Sequence, residues 1–157
     1  MTDDLKKEYT LKISQANSSQ LVVILYEMVG EYINEARANL KGEDEAAFHD
    51  SIRKATACIR ELVASINNES TVAGNLLSLF IFCQKEMAKA DLHCREEELN
   101  HVEKIMKKLH DAFETVAKND NSQPLMGNTQ HVYAGLTYGK ESLIVNLNSQ
   151  SNRGFTV

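Results

Sequence analysis

From Ser18 to Ala117 apolar residues recur every three or four positions with hardly a break, the period of helices that turn one face to a core. Four segments separate. "ANSSQLVVILYEMVGEYINEARANLKG" opens with Asn17 and Gln20 at capping-box spacing and closes at Gly42, a residue suited to the C′ position. "EDEAAFHDSIRKATACIRELVASINN" follows with Asp44 as N-cap, and a third helix runs from Ser70 or Thr71 to Leu92. "REEELNHVEKIMKKLHDAFETVAKND" has glutamates in its first turn and lysines further along, as the helix dipole favours. Connections this short make sequential helices antiparallel neighbours. The expected fold is all-α: an antiparallel up-down four-helix bundle over 18–119, a short N-terminal helical segment over 1–17 and a non-helical extension over 120–157.

The four stripes differ in width. In the second helix Phe48, Ile52, Ala55, Ile59, Leu62 and Ile66 form one seam, as do Leu99, Val102, Met106, Leu109, Phe113 and Val116 in the fourth. The first and third helices carry twice that. In the first, Leu21, Leu25, Met28 and Tyr32 share one line, and Val22, Tyr26, Val29, Ile33 and Leu40 share another about 100° round. In the third, Leu76, Phe80, Cys83 and Met87 make the seam, with Leu77 and Ile81 on one flank and Phe82 on the other. Two readings fit the surplus. Either the N-terminal segment or the tail covers it, or it is a groove for a partner helix.

Composition narrows the classes. The chain has 157 residues, 43% hydrophobic and 25% charged, with a net charge of −5, a globular balance that argues against nucleic acid, which needs a basic surface. No apolar run approaches the roughly 20 residues of a membrane span, and "MTDDLKKEYT" lacks the apolar stretch of a secretory signal. Cys58, Cys83 and Cys94 are odd in number and scattered, and read as reduced thiols of a cytosolic protein.

Chemistry is sparse. A di-iron site in a bundle needs two Glu-x-x-His pairs facing inward; only Glu98–His101 has that spacing, and it lies off the seam. His93 and Cys94 lack partners at zinc spacing, while His49 and His110 sit among charged residues. No glycine-rich phosphate loop precedes a helix. The expectation is no catalytic residue, no metal and no cofactor.

The stretch from Ile13 to Asn67 nevertheless resembles the flagellar export chaperone family FliS. The features are Ile13 and Ala16 in the lead-in, a serine-containing cap before Leu21, and Leu25-Tyr26-Glu27 where the family has Leu-Tyr-Asp/Glu-Gly. Ala55, Ile59, Glu61-Leu62 and Ile66-Asn67 follow in order, then a leucine-rich helix. The resemblance covers about residues 9–118. Asn17-Ser18-Ser19 replaces the usual Ser-Pro cap, and "LFIFCQKEM" is more apolar than the family's tyrosine-bearing third helix.

The resemblance implies a cytosolic chaperone that binds the C-terminal segment of flagellin, prevents premature polymerisation and assists type III export. It implies a groove of Val22, Tyr26, Val29, Ile33, Leu77, Ile81 and Phe82, and an N-terminal cap or export-gate contact at Tyr9 and Ile13. An apolar, uncharged groove implies modest salt dependence. The alternative is a homodimeric helical bundle that buries the surplus stripes against its own copy. The tail, with "HVYAGLTY" and "SLIVNL", is open to three readings: a mobile extension, a segment packed on the bundle, or an internal ligand for the groove.

Overall fold

The computed structural model describes residues 1–126; the readings of the tail beyond them fall outside the described residues. Five helices follow one another: α1 (Asp3–Gln15), α2 (Ser18–Lys41), α3 (Glu45–Ala64), α4 (Ala73–His93) and α5 (Glu97–Asn119). Among the described residues there is no strand. α3 packs on α2 and α4, and α5 packs on α4 and α2, so these four helices close a ring, while α1 lies along α2.

Local chemistry sets each helix start. The Asn17 side chain accepts from Gln20 N while the Gln20 side chain accepts from Asn17 N, completing the capping box of α2. Asp44 accepts from Ala47 N to begin α3. α4 begins at Ala73, two or three residues later than its pattern suggests. Asn67 and Ser70 hold the preceding segment in local turns instead: Asn67 Oδ1 accepts from Glu69 N, and Ser70 O accepts from Ala73 N. Val72 then supplies no side-chain cap.

The stop of α2 also differs from expectation by one residue. Gly42 has φ −83°, whereas Glu43 takes the left-handed conformation at φ 57°. The glycine's freedom is therefore unused, and a residue with a Cβ makes the turn. Cys94 does the same after α4, with φ 49° and its N–H bonded to Ala90 O.

The core takes the single seams of α3 and α5. Phe48, Ile52, Ala55, Ile59 and Leu62 meet Leu99, Val102 and Met106, together with Phe80, Cys83, Met87 and Ala90 of α4. Toward the end of α5 the seam opens, and Val116 is exposed. From α2, Leu25, Tyr26, Val29, Ile33 and Ala36 join this core.

The other α2 line answers to α1. Leu5, Tyr9, Ile13 and Ala16 pack against Leu21, Ile24 and Met28 as a second, smaller cluster. Lys12 Nζ reaches Glu27 at 3.3 Å and stands 5.0 Å from the Tyr9 ring centre. The surplus stripe of α2 is thus covered within the chain.

Polar contacts join the end of one helix to the start of its neighbour. Arg37 near the end of α2 grips Glu103 near the start of α5 with both guanidinium nitrogens, at 2.7 and 3.1 Å, and Asn39 bonds Ser51 at 3.1 Å. At the opposite end, Asn17 Nδ2 donates to Asp120 O at 3.0 Å and Ser122 O at 3.4 Å. Ser19 donates to the Asp120 carboxylate, and Leu125 N donates to Ala16 O at 3.0 Å.

α4 is tied through its C-terminal half. His49 of α3 lies 2.7 Å from the Asp91 carboxylate, and His101 of α5 lies 2.7 Å from Glu86. His93 approaches Glu98 to 3.7 Å. The Glu98–His101 pair that resembled half of a metal site therefore serves helix-to-helix contacts, each residue facing a different partner on α4.

Candidate functional site

The N-terminal half of α4 is apolar around nearly its whole circumference. Leu76, Phe80 and Cys83 turn inward, and Leu77, Leu79, Ile81 and Phe82 remain 37–43% exposed. Four large apolar side chains within two turns thus stand uncovered among the described residues. Single exposed apolar residues are ordinary; a contiguous group is a contact surface. Ser78 is the lone polar side chain between them, and its hydroxyl turns back to Gly74 O at 2.9 Å.

Beside this face lies a cleft of about 380 Å³ at the end of the molecule where α2 begins and α5 ends. Val22, Ile66, Leu76, Phe113 and Val116 line it, with Val72 at its rim. Leu76 and Phe80, the inward side of α4, form part of its wall. A second groove, of about 540 Å³, runs between α3 and α4, from Arg60 and Gln84 to His49 and Asp91.

The expected groove residues divide. Leu77, Ile81 and Phe82 stand exposed on α4, and Val22 is half-buried in the wall of the cleft. Val29 and Ile33, both 0% exposed, line no open groove, whereas Tyr26, though only 3% exposed, contributes to the lining of the cleft. Val29 and Ile33 correct the expectation because they face the main core, while Leu21 and Met28 of the other line pack against α1. Tyr26 is wedged between the Phe80 and Phe113 rings, with centroids 6.3 and 5.6 Å away, and burial pushes its hydroxyl pKa up. Tyr9 is also buried and Ile13 half-buried, both against α2. Burial, then Glu27 and Glu31, raise the Tyr9 hydroxyl pKa to about 12. In this conformation Tyr9 is packed between α1 and α2.

Sequence reasoning missed Leu79 and the cleft. Leu79 falls on the α5 side of α4, where its exposure depends on how far α5 reaches. Ile66, Phe113 and Val116 end their seams beyond the close-packed part of the core, and period alone does not say where a seam stops being covered.

Cys58 and Cys83 are buried, and burial raises their thiol pKa values to about 11 and 12, so neither is a thiolate near neutrality. Among the described residues no group of three His, Cys, Asp or Glu stands together to hold a metal ion, and no helix is long and apolar enough to cross a membrane.

Comparison with known proteins bears on this recognition surface directly. The family model described as flagellar protein FliS matches residues 1–120, all five helices. The chain belongs to the FliS family. This is a family of flagellar export chaperones, helical proteins of flagellum biogenesis that bind flagellin. A search of curated proteins finds no match to the chain. Within a FliS protein, an uncovered apolar helix face is the feature a binding chaperone requires.

Proposed function

We propose that this FliS protein is a cytosolic, non-catalytic export chaperone that holds the C-terminal region of flagellin on the exposed face of α4 and in the adjoining cleft. Helices α2–α5 are read as an antiparallel up-down four-helix bundle, with α1 as a cap on α2. Masking is the mechanism. Apolar faces that join subunits in the filament are covered by the chaperone, so the monomer neither polymerises nor aggregates before it reaches the export apparatus.

The observation that carries this reading is the exposure of Leu77, Leu79, Ile81 and Phe82 around the outer circumference of the N-terminal half of α4. Full burial of such a side chain is worth about 1.5–3 kcal/mol. Each already hides more than half of its surface, so what remains is about 1 kcal/mol apiece. Four of them, extended by the cleft, are an anchor for an amphipathic helix.

The test is calorimetric titration of the full chain with the C-terminal segment of the same organism's flagellin. The expected result is a one-to-one complex whose formation carries a negative heat-capacity change. Ile81→Asp is expected to weaken binding at least about tenfold, roughly the 1.4 kcal/mol that defines a decade. Its melting transition should stay close to that of the wild type, because Ile81 is outside the core. Undiminished binding by Ile81→Asp removes α4 from the interface.

A further inference from the structure

The groove between α3 and α4 carries a charge that the apolar stripes did not foretell. The His49–Asp91 contact at 2.7 Å fixes how the two helices lie against each other. Both rise 1.5 Å per residue. Arg60 lies eleven residues beyond His49, and eleven residues back from Asp91 is Phe80; by the same count Val63 lies level with Leu77. Arg60 therefore stands beside the turn that bears Ile81.

On α4 the row Leu77, Ile81, Gln84, Ala88 and Asp91 follows spacings of four, three, four and three, one continuous side of the helix. Gln84, Ala88 and Asp91 of that row line the groove with Arg60. Leu77 and Ile81 continue that row past Gln84, beyond the residues that line the groove. Lys85, one turn past Ile81, stands at its outer edge.

The ion pairs of this region leave two cations over. Asp50 takes both Arg53 and Lys54. Asp91 faces His49, and Glu86 takes Lys89 and faces His101. Glu61 is exposed about 100° round α3 from Arg60, away from the groove. Arg60 and Lys85 are both exposed, and neither forms an ion pair among the described residues. On a chain of net charge −5, Leu77 and Ile81 thus lie between two positive charges that have no ion-pair partner among the described residues.

We infer that the segment bound on α4 is an amphipathic helix whose apolar row is flanked by carboxylates, and that Arg60 and Lys85 receive those carboxylates as it docks against Leu77 and Ile81. The inference rests on the flagellin-binding reading and adds to it a charge requirement on the bound segment. Apolar contact supplies the residence time, and the cations supply orientation and speed of encounter, because exposed charges act chiefly on association and are screened by salt.

The experiment measures association and dissociation by rapid mixing of the full chain with the C-terminal segment of the same organism's flagellin, at low and at high salt. Arg60→Glu with Lys85→Glu is expected to slow association about tenfold at low salt. At about 0.5 M salt, where screening acts within a few ångströms, the variant and wild type should converge. Arg60→Gln with Lys85→Gln should fall between them, and Ile81→Asp should speed dissociation at both salts. Wild-type binding that ignores salt, with the glutamate variant associating at the same rate, overturns this inference and leaves the flagellin reading standing. No binding by the wild type at either salt overturns that reading, and this inference with it.

Discussion

Asn17 and Glu86 show how much one side chain decides. Asn17 is 3% exposed and uses both ends of its amide. Oδ1 accepts from Gln20 N at 2.9 Å and caps α2, while Nδ2 holds the carbonyls of the chain leaving α5. One residue thereby joins the start of α2 to the chain that leaves α5. Glu86 is 4% exposed because the Lys89 and His101 side chains lie over it, each 2.7 Å from a carboxylate oxygen. Lys89, and after it His101, hold its carboxyl pKa below the usual value of 4.5. A carboxylate with a depressed folded pKa adds stability above its unfolded value and loses it as the pH falls through the folded one. The stability of the wild type, followed as the urea midpoint between pH 7 and 3, should therefore drop below about pH 4.5. Glu86→Gln should be less stable at pH 7 and show a shallower acid limb; an unchanged limb would show that Glu86 has no part in it.

At the scale of helices, the sequence was most readable where one explanation sufficed. The seams of α3 and α5 follow a single line each, and Phe48 to Leu62 and Leu99 to Met106 are buried as that line requires. α2 was not decidable in the same way. Both its lines are apolar, and what helps assign them is α1, whose Leu5, Tyr9 and Ile13 settle on Leu21, Ile24 and Met28. That is a tertiary fact with no local signature in α2. The contacts of Glu86 with His101 and of Asp91 with His49 were equally invisible, since nothing in either helix names its partner. The Gly42–Glu43 junction shows a smaller displacement: the glycine is present but one residue early. A Cβ in the left-handed region costs about 1 kcal/mol. Glu43→Gly should therefore raise stability by up to about 1 kcal/mol, less what the freer unfolded chain takes back, and Glu43→Val should lower it. Thermal melts of the two variants give the sign; a Gly variant less stable than the wild type would mean that the Glu43 side chain contributes more than its backbone strain costs.

Taken as a whole, the described molecule divides its tasks between surfaces. The α1–α2 side is covered, and α1 adds a second layer of apolar contact there. The α4 side is open and carries the exposed leucines, Ile81 and Phe82, with the α3–α4 groove and its two cations beside them. The resemblance to FliS was legible in the order of residues from Ile13 to Asn67, and the family model extends it to residues 1–120. Which apolar residues remain available to a partner was only half legible, because availability depends on what lies on top. The anchorage of α4 has a mechanical meaning beyond packing. Its His and carboxylate ties all fall between Glu86 and His93, while its first turn starts from an uncapped Val72. A rod clamped at one end bends at the other. The amides from Leu76 to Phe82 should exchange with deuterium before those from Met87 to Asp91, so that the stretch offered to a partner is also the stretch with the slack to fit it. Uniform exchange along α4 would mean that the helix moves as one rigid piece.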